Sequence, residues 1–314
     1  MSTTNQAFIK AYRQDNAQPD GAGGVPVIGG EHVPAARAAV AGAVSAGEVA
    51  RSQDRARALP ERRPLSSYIL QAQPARELRI DDGAESPPFQ PGTTVASFQW
   101  PAVCRTLIQQ CGPQLDQVTR LLLARAGVGN SLIGVIGLFG GSGATTTALC
   151  LASRAAARGP RVIVGDSNFC NPQLAKLLDA VPTAGWEEVL KHAAPLADAV
   201  VHATDDNLDL LALGVRPVKD PQPMVGGLQA AVTAGVLRHS YDLAILDLGA
   251  FFDPTSQTVL MELVSNMGVD AAVAIAGPRP ADPRDLATIV EYLDRTGCEL
   301  LGIIENRVAK PQAA

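Results

Sequence analysis

The sequence predicts an α/β fold, a doubly wound and mostly parallel sheet with helices on both faces. Apolar, β-branched runs of strand length alternate with segments of helical periodicity from about residue 131 to residue 306. These strand runs are nearly continuous in apolar residues, which is typical of parallel strands buried on both faces. A glycine-rich turn, residues 140–143, separates the first strand of this alternation from the helix that follows it.

Each element is predicted by its local pattern. Apolar runs predict strands at residues 132–137, 161–165, 208–214, 243–248, 271–276 and 300–306. Helical spacing predicts helices at residues 173–178, 186–192, 225–239, 255–267 and 284–295, besides the one after the glycine turn. Large apolar residues also recur at helical spacing from Phe98 to Leu122, with an interruption at Gly112-Pro113. We expect two amphipathic helices, joined at that break, to cover one side of the sheet.

Composition divides the chain into a leader, residues 1–95, and an α/β domain, residues 96–310. Pro, Gly, Ala and Ser dominate between about residues 15 and 91, and large apolar residues are few. Such a segment has little apolar surface to bury against the entropic cost of ordering it, so we expect a largely disordered leader. Residues 35–59 contain no Pro and are rich in Ala, Arg and Glu, which permits a short helix there.

Charge and hydropathy exclude several classes of protein. The net charge of −5 shows no basic excess, which argues against nucleic-acid binding. No apolar run approaches the roughly 18 residues that span a bilayer, so we expect no direct membrane insertion. The five cysteines form no C-x-x-C pair and are odd in number, which favours reduced thiols in a cytoplasmic protein.

The glycine-rich turn has the layout of a phosphate-binding loop. Glycines allow successive backbone N–H groups to face one anion, and the following helix directs the positive end of its dipole at the same point. In the P-loop pattern a Lys before the Ser/Thr contacts the phosphates, and the hydroxyl binds Mg²⁺. Here the Thr is present as Thr145, but the Lys position is Ala144. The pattern therefore indicates a nucleotide-binding scaffold more strongly than a nucleotide-hydrolysing enzyme.

Two aspartates follow predicted strands. Asp166 comes directly after the second strand, and Asp247 lies at the end of the strand at residues 243–248. Because ligands of doubly wound sheets bind at the carboxyl ends of the strands, we expect both carboxylates to face the glycine loop.

These motifs resemble those of known ATPases. The loop Leu138-Phe139-Gly140-Gly141-Ser142-Gly143-Ala144-Thr145-Thr146 is similar to the deviant Walker loop GKGGVGKTT of the MinD/ParA group. The segment DSNFCNPQLAKLL, residues 166–178, resembles the D-A-D-x-R-x-P-x-L-x-x-L segment of bacterial tyrosine kinases of the CpsD/CapB/Wzc type. Segments resembling later motifs of that family follow in the same order, so the likeness covers about residues 131–308.

The resemblance implies roles for particular residues. It implies Mg²⁺ ligation by Thr145, Asp166 and Asp247, with the two aspartates as catalytic residues. The implied ATP/ADP contacts are Gly140, Gly141, Ser142, Gly143, Ala144, Thr145, Thr146, Asn306 and Arg307, with Asn306 near the base. Three departures weaken this chemistry: the missing Lys, Asn168 in place of the second Asp of D-A-D, and the absence of a carboxy-terminal Tyr cluster.

We therefore expect a degenerate tyrosine-kinase-like protein, a weak or non-catalytic nucleotide-binding regulator of exopolysaccharide synthesis or export. The resemblance implies docking on the cytoplasmic segment of a transmembrane polysaccharide co-polymerase at the inner membrane, and a homo-oligomer. One alternative is a localisation or pilus-assembly pseudo-ATPase of the CpaE/TadZ type, whose loops often carry Ala at the Lys position. Another is a weakly active ATPase or tyrosine kinase that uses a Lys or Arg from elsewhere. A short-chain dehydrogenase is disfavoured, because no Tyr has a Lys four residues later.

Overall fold

The computed structural model describes residues 9–10, 89–129, 131–277 and 281–306. Within these residues nine strands form one sheet, in the order β1-β9-β8-β3-β7-β4-β6-β5-β2. The strands are β1 Ile9–Lys10, β2 Thr93–Val95, β3 Leu132–Gly137, β4 Val162–Asp166, β5 Val200–Ala203, β6 Leu208–Leu211, β7 Leu243–Ala250, β8 Ala271–Ala276 and β9 Glu299–Glu305. The β1–β9 and β5–β6 pairs are antiparallel and the other pairs are parallel.

Helices cover both faces of the sheet. They are α1 Ala102–Ala126, α2 Ala144–Ala156, α3 Leu174–Leu177, α4 Trp186–Leu190, α5 Gln222–Val225, α6 Leu228–Ser240, α7 Gln257–Met267 and α8 Pro283–Thr296. One apolar core lies between the sheet and α1, α2 and α3, and the other includes residues of α4 to α8. The predicted doubly wound, mostly parallel α/β fold is confirmed.

The centre of the sheet positions the glycine loop. All six residues of β3 are buried, and β3 lies between β7 and β8. Strand β4 lies on the other side of β7, in register so that Asp166 is the neighbour of Asp247. Since the strands are parallel, the carboxyl ends of β3, β4 and β7 meet at one edge of the sheet.

The break predicted in the helical stretch before β3 is confirmed. Element α1 consists of two helices that meet at a kink at Cys111 (φ −120°, ψ 23°), directly before Gly112-Pro113. The kink follows from the proline, which lacks an amide hydrogen and crowds the preceding turn. Strand β5, by contrast, was not predicted from the sequence.

Two short strands belong to the stretch assigned to the leader. Strand β2 pairs with β5 and strand β1 pairs with β9. The remainder of the leader before Phe89, including the helix expected at residues 35–59, lies outside the described residues. The division of the chain into residues 1–95 and 96–310 therefore stays a prediction. No helix within the described ranges has both the length and the apolar character needed to cross a bilayer.

Candidate functional site

The loop between β3 and α2 is held in a closed turn. Gly141 and Gly143 have positive φ angles of 76° and 93°, a region that only glycine adopts without strain. The Ser142 amide donates to the Phe139 carbonyl at 3.1 Å, and the Asn306 side-chain amide donates to the Ser142 carbonyl at 2.8 Å. The loop is thus fixed by one hydrogen bond within it and by a second from Asn306, which lies 164 positions after Ser142 in the chain.

The amino end of α2 leaves backbone donors uncapped. Gly143 is the N-cap and has no side chain, and the first amide with an acceptor in this helix is Thr147, which donates to the Gly143 carbonyl at 2.9 Å. The amides of Ala144, Thr145 and Thr146 precede it and carry no side-chain cap. Uncapped amides at the positive end of a helix dipole favour an anion.

The position of the missing Lys is filled by a buried methyl group. Ala144 is 7% exposed, and its Cβ lies 3.4 Å from where a Cβ on Gly137 would be. Gly140 on the outer side of the loop is exposed, and a Cβ there would meet nothing within 4 Å. Within the described residues, no Lys or Arg forms an ion pair with Asp166 or Asp247.

Asp166 is a buried carboxylate held by backbone amides. It accepts from the Asn168 amide at 3.2 Å, the Gln173 amide at 2.7 Å and the Leu174 amide at 2.8 Å. Burial, followed by the charge of Asp247, raises the pKa of Asp166 to about 7, although these three hydrogen bonds lower it. No positive charge among the described residues pairs with Asp166 to oppose this increase in its pKa.

Asp247 links strand β7 to helix α2. Its carboxylate accepts from the Thr145 hydroxyl and, at 3.3 Å, from the Gly249 amide. Burial raises its pKa, and these two hydrogen bonds oppose the shift. The hydroxyl of Ser167, the residue after Asp166, is buried and has no hydrogen-bond partner among the described residues. Two buried carboxylates and a Thr hydroxyl are hard oxygen donors that fit Mg²⁺, with waters completing its coordination.

The structure places most of the predicted site residues at one edge of the sheet. The loop and the first turn of α2 are formed by Gly140, Gly141, Ser142, Gly143, Ala144, Thr145 and Thr146. Asp166 ends β4, and Asp247 lies beside it on β7, three residues before that strand ends at Ala250. Asn306 contacts the loop backbone. Arg307 lies outside the described residues. The described residues contain no group of three or more His, Cys, Asp or Glu side chains that could bind a metal, so Mg²⁺ would depend on the two aspartates and Thr145.

Sequence reasoning missed two contacts beside the loop. The rings of Phe139 and Phe252 are stacked with centroids 5.3 Å apart, and the Phe252 amide donates to the Leu138 carbonyl at 3.0 Å. Asn168 lies against Gly249, where an added Cβ would come within 2.7 Å of its side-chain nitrogen. The paired phenylalanines after β7 were a signal for the first contact. The second joins Gly249 of β7 to a residue 81 positions earlier in the chain and has no local signal.

Comparison with known proteins identifies the fold. No protein-family model and no curated protein sequence matches the chain. Among solved structures, the chimerical protein CapA2B2 matches with a TM-score of 0.57 and 18% identity, covering 70% of this chain and 96% of that one. The kinase domain of VpsO matches with a TM-score of 0.56 and 20% identity, covering 67% and 100%. The BceF tyrosine kinase domain matches with a TM-score of 0.54 and 18% identity, covering 68% and 93%.

The chain has the fold of bacterial tyrosine kinase domains. The predicted resemblance to this group is confirmed for the fold, across nearly the whole length of each matched kinase domain. At 18–20% identity the likeness carries no further than the fold. What this chain can do chemically therefore depends on its own glycine loop, its two aspartates and the missing Lys.

Proposed function

We propose that the protein is a degenerate tyrosine-kinase-like P-loop protein that binds ATP or ADP with Mg²⁺ weakly and has little or no catalytic activity. The observation that carries the proposal is the pairing of an uncapped helix start with two buried carboxylates that lack a cation. The amides suit phosphate oxygens, and the carboxylates suit a hydrated Mg²⁺ that bridges to the phosphates.

Catalysis is expected to suffer more than binding. In phosphoryl transfer, fixed cations stabilise charge on the transferring group, and losing one preorganised contact costs about 3–4 kcal/mol of barrier. With Ala144 in the Lys position, that cation is absent from the loop itself. The amides at the start of α2 and the Thr145 hydroxyl remain, so ground-state binding is expected to be weakened rather than lost.

The cellular role follows from the fold only by analogy. We propose a regulator of exopolysaccharide synthesis or export that docks, as a homo-oligomer, on the cytoplasmic segment of a transmembrane co-polymerase. Neighbouring genes for glycosyltransferases would support this role, whereas genes for pilus components would favour the CpaE/TadZ-like alternative. Ala144 itself favours that second candidate, because Ala is common at this position in those proteins.

Isothermal titration with Mg-ADP and Mg-ATP tests nucleotide binding, comparing the native protein with Ala144→Lys. A Lys at this position restores a charge-assisted contact of about 1.5–3 kcal/mol, so we expect affinity to rise roughly ten- to hundredfold. Ala157→Lys is the matched control, because it adds the same charge at the exposed far end of α2 and should leave affinity unchanged. Thr145→Ala in the Ala144→Lys background should remove the Mg²⁺ dependence.

The outcomes separate the candidates. No binding by either form would mean that the loop is only a structural turn. Phosphate release or tyrosine phosphorylation by the native protein would overturn the non-catalytic assignment and favour an enzyme that takes a Lys or Arg from elsewhere. An equal gain from Ala157→Lys would mean that net charge, and not the loop, governs affinity.

A further inference from the structure

A second group of polar side chains lies at the opposite end of the same strands. It lines a cavity of about 220 Å³, the volume of about seven waters. The lining residues are Phe89, Pro91, Arg161, Val162, His202, Asn207, Asp209, Ser240 and Tyr241. Val162 begins β4 and Asp166 ends it, so this cavity lies roughly 13 Å along the strand from the glycine loop.

The floor of the cavity is a hydrogen-bonded network centred on a buried carboxylate. Asp209 is 8% exposed; its Oδ1 lies 2.5 Å from His202 Nδ1, and its Oδ2 accepts from the Tyr241 hydroxyl at 2.6 Å. A carboxylate can only accept, so His202 Nδ1 carries the hydrogen of this contact and Nε2 is the ring nitrogen left for a ligand. Burial, followed by the charge of Asp209, raises the pKa of Tyr241, which therefore stays a donor to Asp209.

Most donors in the cavity are already engaged. Asn207 uses its side-chain NH₂ group on the carbonyls of Ala156 and Pro160, at 3.2 and 3.5 Å, which leaves its oxygen as an acceptor. The Tyr241 hydroxyl donates to Asp209, so its remaining capacity is also that of an acceptor. The oxygens of Asn207 and Tyr241, beside the buried carboxylate of Asp209, therefore remain as acceptors for a ligand.

The one fixed cation of the cavity lining, Arg161, has an opposite charge beside it. Its side chain is 61% exposed, and its Nε lies 4.0 Å from a carboxylate oxygen of Asp242, which is not part of the lining. Apart from His202, no charged partner contacts Asp209 within the described residues. The electrostatics therefore favour a cation over an anion.

The walls of the cavity are apolar and preformed. The rings of Phe89 and Tyr241 meet edge to face with centroids 6.2 Å apart, and Pro91 lies beside them. The segment that carries Phe89 and Pro91 is tied down where the Gly92 amide donates to the Ala197 carbonyl at 2.7 Å and where β2 pairs with β5. Aromatic rings beside a carboxylate suit an ammonium group with an apolar body.

We propose that this cavity is a binding site for a small organic cation, a primary amine with an apolar body. The ammonium group donates to the oxygens of Asn207 and Tyr241, and Asp209 supplies the opposing charge. The apolar body contacts Phe89, Pro91 and Val162. This site is independent of nucleotide binding, because none of its residues belongs to the glycine loop or the aspartate pair.

Isothermal titration of the full chain with three ligands of one shape tests the proposal: benzylammonium, benzyl alcohol and benzoate. We expect benzylammonium to bind at least about tenfold more tightly than the other two. Asp209→Asn should weaken benzylammonium by about tenfold or more. Asp205→Asn, which removes an exposed carboxylate two residues before Asn207, should leave its affinity unchanged.

Titrations of the native protein alone can contradict the proposal, so the test does not depend on whether a variant folds. Preferential binding of benzoate, lost in Arg161→Gln, would make the cavity an anion site. Equal affinity for benzylammonium and benzyl alcohol would show that the carboxylate plays no part in recognition. Binding of none of the three would reduce the network to a structural one. Phe89→Ala, which removes one aromatic wall but no charge, should weaken benzylammonium severalfold.

Discussion

The two ends of the central strands contain buried aspartates in opposite circumstances. At the amino end, both oxygens of Asp209 are bonded to side chains, those of His202 and Tyr241. At the carboxyl end, Asp166 is held by backbone amides and faces the like charge of Asp247, and burial raises the pKa of both carboxyl groups. Side-chain hydrogen bonds compensate the burial of Asp209, whereas the pair of Asp166 and Asp247 has neither a side-chain donor at Asp166 nor, among the described residues, a neighbouring positive charge.

The two ends differ in how the charge of the buried carboxylates is compensated. A buried charge is tolerated when hydrogen bonds or opposite charges compensate its desolvation. Two adjacent carboxylates without a cation are costly, and a protein that retains them gains from a bound metal. The side-chain network around Asp209 is therefore expected to stabilise the fold, and the pair at the glycine loop is expected to lower stability until a cation binds.

The largest effect is expected for Gly143→Ala at the carboxyl end. A Cβ there would come within 2.4 Å of Asn306 Nδ2, and the φ of 93° is strained for any other residue. Strain and overpacking together should lower the free energy of unfolding by about 2–4 kcal/mol, measured by urea denaturation. Gly140→Ala, with nothing within 4 Å of its Cβ, is the control and should cost little. Equal effects in the two variants would mean that the contact with Asn306 does not hold the loop.

The next effect tests the amino end. Tyr241→Phe removes the hydroxyl that donates to Asp209 and changes little else, so the buried carboxylate loses one of its two side-chain partners. We expect a loss of about 1.5–3 kcal/mol in the free energy of unfolding at neutral pH. Tyr292→Phe, which removes a hydroxyl that donates to the neutral Met261 carbonyl, should cost less. If Tyr241→Phe leaves the free energy of unfolding unchanged, the hydrogen bond from Tyr241 does not stabilise the buried Asp209 carboxylate.

The smallest expected effect is a gain in the free energy of unfolding, and it tests the aspartate pair through the pH dependence of stability. Because the folded pKa of Asp166 is raised to about 7, above an unfolded value of about 3.9, the folded state binds more protons between these pH values. The free energy of unfolding without Mg²⁺ should therefore fall as pH rises from 4 to 7, with a contribution of at most about 1.4 kcal/mol per pH unit.

Asp247→Asn should make that fall shallower. The variant removes the like charge beside Asp166, while an Asn side chain can still accept from the Gly249 amide and bond to Thr145. At pH 8 without Mg²⁺ we expect a gain of about 1 kcal/mol in the free energy of unfolding. Calorimetric unfolding of both proteins across pH 4 to 8 measures it. A native profile no steeper than that of the variant would argue against coupling between the two carboxylates.

Local pattern was sufficient for much of the fold and the site. Strands β3 and β8 were predicted with the same bounds as observed, because their apolar runs are continuous and each begins directly after a polar residue, Ser131 or Asp270. The glycine turn, Ala144 and the two strand-end aspartates are likewise properties of short stretches. Strand β5 escaped prediction because its pairing with β6 is a tertiary contact, not a sequence period.

The sequence alone thus determined the alternation of strands and helices, the phosphate-loop layout and the missing Lys, because each depends on residues that are neighbours in the chain. The tertiary structure decided the rest. It brought Asn306 to the glycine loop, set Asp166 beside Asp247 so that its pKa rises, and assembled His202, Asp209 and Tyr241 around a cavity. Those properties arise from burial and from contacts between distant segments, and no local pattern encodes either one.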